Sequence, residues 1–190
     1  MKPQLILWDW LGTIEIPNNA KFYVRNKLMR KYLNVHFEAN QEEEFKKYWR
    51  QISSASQTAI NAQSINEIEK SGPWIAPYAI ALMKYFKQHC IPQCVVSNGS
   101  SQEIIRKLQD MKLDYFDEII GSDKQFRPKP NPNSVLHLAK KYKIIETDRI
   151  WIIGDSDQDM EFAMHARAKG IKVDGGLETV WSVIKETDFS

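Results

Sequence analysis

Five short apolar runs recur along the chain: LILWD (5–9), QCVVSN (93–98), DEIIGS (117–122), RIWIIGD (149–155) and IKVDGG (171–176). Most are rich in β-branched residues and end in Gly, Asp, Asn or Ser. Continuous runs of this length suit strands buried on both faces, as in a parallel sheet. The segments between them carry helical spacing. PYAIALMKYFKQHC (77–90) places Ile80, Met83 and Phe86 on adjoining turns. SSQEIIRKLQDMKL (100–113) opens with a capping-box pattern, Ser100 to Glu103. NPNSVLHLAKKYK (131–143) predicts a helix with Asn131 as N-cap and Pro132 at its first position. DQDMEFAMHARAKG (157–170) predicts a helix closed by Gly170. Strands alternating with helices give an α/β fold with a doubly wound, Rossmann-like parallel sheet.

The alternation breaks between residues 17 and 72, where no strand is evident. AKFYVRNKLMRKYLN (20–34) and NQEEEFKKYWRQI (40–52) read as amphipathic helices; the polar stretch 53–72 reads as one weak helix or a helix and a loop. An insert this long exceeds an ordinary connection of a few residues. The expected organisation is therefore an α/β core formed by residues 1–16 and 73–190, with residues 17–72 as a small helical cap.

Composition narrows the class. With 190 residues, 43% of them hydrophobic, the chain is long enough to bury a core without staples. Cys90 and Cys94 are the only cysteines, which predicts no disulfide framework and fits a reducing, cytoplasmic setting. The opening MKPQLILWDW is too short an apolar run for a signal peptide, and no stretch approaches a membrane span. A net charge of +2, with Lys and Arg dispersed, argues against a nucleic-acid partner. The four histidines show no ligand spacing, so no zinc site is expected.

In open α/β sheets ligands meet the carboxyl ends of the strands. Those ends carry Asp9, Ser97-Asn98, Gly121-Ser122 and Asp155. Lys129 lies between two prolines in RPKPNP, so it is outside any helix interior, and Asp159 follows Asp155 in GDSDQD. Taken singly, each has an ordinary explanation: a cap, a turn, a solvated loop, an acidic helix start.

Together, in this order, Asp9-Trp10-Leu11-Gly12-Thr13, Ser97-Asn98-Gly99, Lys129-Pro130 and Gly154-Asp155-x-x-x-Asp159 resemble the four motifs of the haloacid dehalogenase-like hydrolase superfamily, over residues 4–16 and about 73–176. The resemblance implies a C1-type cap between motifs one and two. It implies Asp9 as nucleophile, Ser97 and nearby backbone N–H groups as phosphoryl ligands, and Lys129 as the neutralising cation. It places Mg²⁺ on Asp9, the Leu11 carbonyl, Asp155 and Asp159. Trp10, Leu11, Asn98 and Gly99 would border a small phosphorylated metabolite. A monomer or homodimer, with no membrane partner, is expected.

Leu11 departs from the pattern. In most phosphatases of this superfamily that position holds an Asp that moves protons. Leu11 keeps the carbonyl and loses the acid. Three readings follow. The first is a phosphohydrolase that is slow on alkyl esters or borrows another acid, such as Glu15. The second is a phosphonatase-like C–P hydrolase using Lys21, Lys27, Lys31, Lys46 or Lys47 of the insert. The third is an impaired member that binds phosphate ligands or a protein.

Overall fold

The computed structural model describes residues 2–15, 17–37, 41–71, 75–76, 78–173 and 177–187; within these, residues 17–24, 42 and 65–71 are described by backbone alone. The chain divides into two compact units, Met1–Glu15 with Ile75–Ser190, and Ile16–Trp74.

The first unit is built on five parallel strands: β1 (Leu5–Trp8), β2 (Gln93–Val96), β3 (Glu118–Ile120), β4 (Ile150–Gly154) and β5 (Lys169–Lys172). Their order is β3-β2-β1-β4-β5, so β1 is central, with Leu7 opposite Cys94 on one side and Ile152 on the other. All four residues of β1 are fully buried, which is why the run is apolar on both faces. Leu5 and Leu7 pack into one face with Cys94, Val96, Ile120, Ile152 and Phe162. Trp8, at the alternate position, points to the other face, where Phe86 meets both Trp8 and Trp151 edge-on. The Trp8 indole N–H donates to Gln93 at 3.1 Å, satisfying a polar group that would otherwise be stranded in the core.

Helices α4 (Ala79–Gln88), α5 (Ser101–Asp110), α6 (Asn133–Lys141), α7 (Asp157–His165) and α8 (Glu178–Lys185) belong to this unit. Two sequence expectations need correcting. Gly170 does not close α7: the helix ends at His165, the chain turns through Arg167 at φ 54°, and Gly170 lies inside β5. A Cβ there would come within 3.0 Å of Met160 Sδ and 3.2 Å of Ala163, so this glycine lets β5 approach α7 closely. Nor does α6 start at Pro132. Pro132 precedes the helix, and Asn131 accepts a hydrogen bond from the Asn133 N–H at 3.1 Å. Residues 174–176 of the fifth apolar run lie outside the described residues.

The second unit holds α1 (Pro17–Leu33), α2 (Glu42–Gln51) and α3 (Ser54–Ser71). The polar stretch is thus one helix. Leu28, Met29, Phe45 and Ile60 form its core, with Phe37, Tyr48 and Trp49 packed around them. Asn26 clamps the chain after α1 by pairing its side chain with both backbone groups of Phe37.

Candidate active site

Asp9 follows β1 directly, and its backbone N–H donates to Ile153 at 2.8 Å, so the central strand pair aims it. The chain then folds into a tight turn: Gly12 N–H donates to Glu15 at 2.7 Å, and Ile14 N–H to Trp10 at 2.9 Å. Gly12 has φ +95°, and a Cβ would overlap the Asp155 carboxylate. Both facts demand glycine here. The Thr13 hydroxyl lies between Asp9 Oδ2, at 3.4 Å, and Asp155 Oδ1, at 3.2 Å.

Ser97 follows β2 directly, and its Oγ accepts from Gly99 N–H at 3.1 Å. Asn98 turns towards Lys129: its Oδ1 accepts the Lys129 N–H at 2.9 Å, and its amide donates to Gln158 at 3.0 Å. Gln158 donates in turn to the Lys129 carbonyl at 2.9 Å. The Lys129 backbone, followed by a cis peptide to Pro130, is therefore held from both sides. Its ammonium, only 7% exposed as a residue, contacts Asp9 Oδ1 and Asp159 Oδ1, each at 2.5 Å.

Asp155 and Asp159 flank the start of α7. Ser156 and Asp159 form a reciprocal capping box, the Asp159 carboxylate accepting from the Ser156 N–H and hydroxyl while Ser156 accepts from the Asp159 N–H. Asp159 is thus committed to α7 and to Lys129 at once. Asp157, between them, is exposed and pairs with Lys172. One oxygen each from Asp9, Asp155 and Asp159 falls within a 4.8 Å cluster. Three carboxylates against one ammonium leave an uncompensated negative charge in a mostly buried place, which a hard divalent cation would neutralise. The donor set fits Mg²⁺. Without such an ion, burial pushes the Asp9 carboxyl up to about 6, against the opposing pull of Lys129.

These groups line a cavity of about 430 Å³. The structure brings Asp9, Trp10, Leu11, Ser97, Asn98, Gly99, Lys129, Asp155 and Asp159 together around it. Leu11 presents its side chain there, 57% exposed. Trp10 is buried instead, its indole N–H donating to Glu15 Oε2 at 2.6 Å. Lys107 and Glu103, on α5, also line the cavity; the sequence pattern marks Glu103 only as a capping partner and does not mark Lys107. Helical spacing does not say that Lys107 meets a side chain 92 positions earlier. Of the insert lysines, Lys27, Lys31, Lys46 and Lys47 are exposed, with Lys46 bonded to Glu43; the Lys21 side chain lies outside the described residues. No described helix is long and apolar enough to cross a membrane.

Comparison with known proteins agrees with this fold. Over 99 residues the chain is 28% identical to phosphoglycolate phosphatase 1 of Pseudomonas aeruginosa, a match covering 52% of this chain and 35% of that protein. A hydrolase from Streptococcus pneumoniae superposes with TM-score 0.74 at 19% identity, over 97% of this chain and all of the other. A protein described as a predicted phosphoglycolate phosphatase from Haemophilus somnus gives TM-score 0.65 at 15% identity, over 99% of both chains. The family model for haloacid dehalogenase-like hydrolases matches residues 16–173, most of the chain beyond the Asp9 turn. The chain belongs to the haloacid dehalogenase-like hydrolases.

Proposed function

We propose that this hydrolase is a Mg²⁺-dependent phosphohydrolase of a small phosphorylated metabolite, working through an aspartyl-phosphate on Asp9. The observation that carries the reading is the Lys129 ammonium seated between Asp9 and Asp159, beside Asp155, at the floor of a metabolite-sized cavity. Asp9 and Asp155, with the Leu11 carbonyl, would hold Mg²⁺. The ion, when bound, would offset charge on the phosphoryl oxygens. Asp9 attacks phosphorus, forming an O–P bond as the bond to the leaving oxygen breaks; water later cleaves the acyl phosphate. Lys129 keeps the carboxylate anionic and balances the incoming charge. Ser97 and the N–H groups before α5 would bind the equatorial oxygens. Asp159 steadies Lys129, and Asn98 with Gln158 fixes its backbone. The unit Ile16–Trp74 serves as the cap that selects the substrate, in the cytoplasm, in a monomer or homodimer.

Leu11 supplies no proton. A missing general acid costs about 10²–10⁴-fold, and chiefly for leaving groups that must be protonated. Aryl and acyl phosphates should therefore outpace alkyl esters. The test is phosphate release with Mg²⁺ from an alkyl, an aryl and an acyl phosphate and from phosphonoacetaldehyde. Wild type, Leu11→Asp and Asp9→Asn would be compared, with EDTA as control. Aryl or acyl turnover abolished by Asp9→Asn, with new alkyl activity in Leu11→Asp, supports the reading. Turnover of phosphonoacetaldehyde alone favours a C–P hydrolase. No phosphate from any protein favours a phosphate- or protein-binding role.

A further inference from the structure

The turn that carries Asp9 is tied to α5 by charged and polar contacts whose two ionic members, Glu15 and Lys107, lie outside the four motifs. Lys107 Nζ donates to both Glu15 oxygens, at 3.0 and 2.8 Å, and pairs with Glu103 at 2.9 Å. Glu15 Oε2 also receives the Trp10 indole N–H at 2.6 Å. The pair is largely buried, with side-chain exposures of 19% for Lys107 and 10% for Glu15. Glu15 is also where the turn closes: its carbonyl accepts Gly12 N–H, its N–H donates to Trp10, and it bridges Ile75 where the chain returns. Both ends of the turn therefore meet at the Glu15 carboxylate, which the Lys107 ammonium holds.

This geometry also bears on the missing acid. Glu15 lines the cavity, yet its carboxylate already accepts three hydrogen bonds, two from a cation. Both of its oxygens are thus engaged by Lys107 and Trp10 rather than left to face a leaving group.

We propose that Lys107 and Glu15 are positioning residues. Through Trp10 they hold the turn from Asp9 to Glu15 against α5, and so fix the Asp9 carboxylate and the Leu11 carbonyl relative to the phosphoryl-binding end of β2. This rests on the phosphohydrolase reading for its catalytic consequence, though not for its structural one. A buried ion pair is weak evidence of added stability, and its best-attested use is to fix a register; small misplacement of a reacting group is costly in rate.

The experiment uses the full chain with Lys107→Met, Lys107→Arg, Glu15→Gln, and the Lys107→Met/Glu15→Gln double variant. Amide hydrogen exchange is followed at Trp10–Glu15 and at β4, alongside steady-state kinetics on the best substrate of the panel. Lys107→Met and Glu15→Gln should each speed exchange of the Gly12, Ile14 and Glu15 amides while β4 stays protected. Each should lower kcat by about tenfold or more, with KM changed less than about threefold. The double variant should fall no further than the worse single one, because the two act as a unit. Lys107→Arg, which keeps the charge and can donate to both Glu15 oxygens, should leave both readouts near wild type. Unchanged turn exchange in Lys107→Met overturns the proposal whether or not the protein proves to be a phosphatase. A Glu15→Gln variant that loses one limb of the pH–rate profile with the turn still protected also overturns it, and makes Glu15 the acid. Wild type inactive on every substrate defeats the phosphohydrolase reading, and the exchange data still decide the positioning role.

Discussion

At the scale of single residues, Gly12 concentrates the most constraint. Its φ of +95° is accessible to glycine, and its missing Cβ leaves room for the Asp155 carboxylate. Gly12→Ala must therefore strain the turn and displace Asp155 together. We expect a folded but less stable protein, by about 1–3 kcal/mol for the backbone alone, in which Mg²⁺ no longer raises the melting temperature. Thermal melts with and without Mg²⁺ would show it; a retained Mg²⁺ response would contradict the placement of the ion between these groups. Much of this residue-level chemistry was legible beforehand. Asp9, Ser97, Lys129, Asp155 and Asp159 are each announced by where an apolar run stops or by neighbouring Gly and Pro, and the structure gathers them around one cavity. What they touch was not legible. The Ser156–Asp159 capping box and the clamp of Asn98 and Gln158 on the Lys129 backbone depend on rotamers and on contacts between distant segments.

At the scale of elements, α5 does more than connect strands. Its N-terminus meets the Ser97–Gly99 turn, and its last turn supplies Lys107. Ser100 caps it at the long distance of 3.5 Å, whereas Asp123, from the loop after β3, accepts from both the Ser101 N–H and hydroxyl at 2.7 Å. Those bonds hold the Asp123 carboxyl below its ordinary range, the backbone N–H first. Because the folded pKa is depressed, the stabilisation is present above the unfolded value near 3.8 and is lost as pH falls through the lower folded value. Asp123→Asn should flatten the pH dependence of stability below about pH 4, as denaturant titrations from pH 2 to 6 would register. An unaltered slope would deny Asp123 that role. Here the sequence pointed to the local partner, Ser100, and was blind to the closer one. The same limit explains Gly170: a glycine after a helical pattern suggests a C-cap, but at this position it serves the packing of β5 against α7, which only the assembled layers require.

At the scale of the whole molecule, the cluster of Asp9, Asp155 and Asp159 joins the ends of β1 and β4, strands 145 residues apart in sequence by their paired starts, Leu5 and Ile150. An ion bound there stabilises the folded chain only. At 100 times its dissociation constant, Mg²⁺ should add about 2.7 kcal/mol, a shift of roughly 5–11 °C for a chain of this size. Asp155→Asn should abolish the shift, and scanning calorimetry would measure it; a full shift in that variant would move the ion elsewhere. The central place of β1 has one more consequence, for how the chain reaches this state. LILW is the first apolar run, yet both its edges are closed by strands that follow much later, β2 and β4. Until they emerge it is an unpaired, wholly apolar strand, the kind of segment that nascent chains must shield from one another. The strand that aims Asp9 is thus made early and seated late, and the yield of folded protein should depend on what guards it in between.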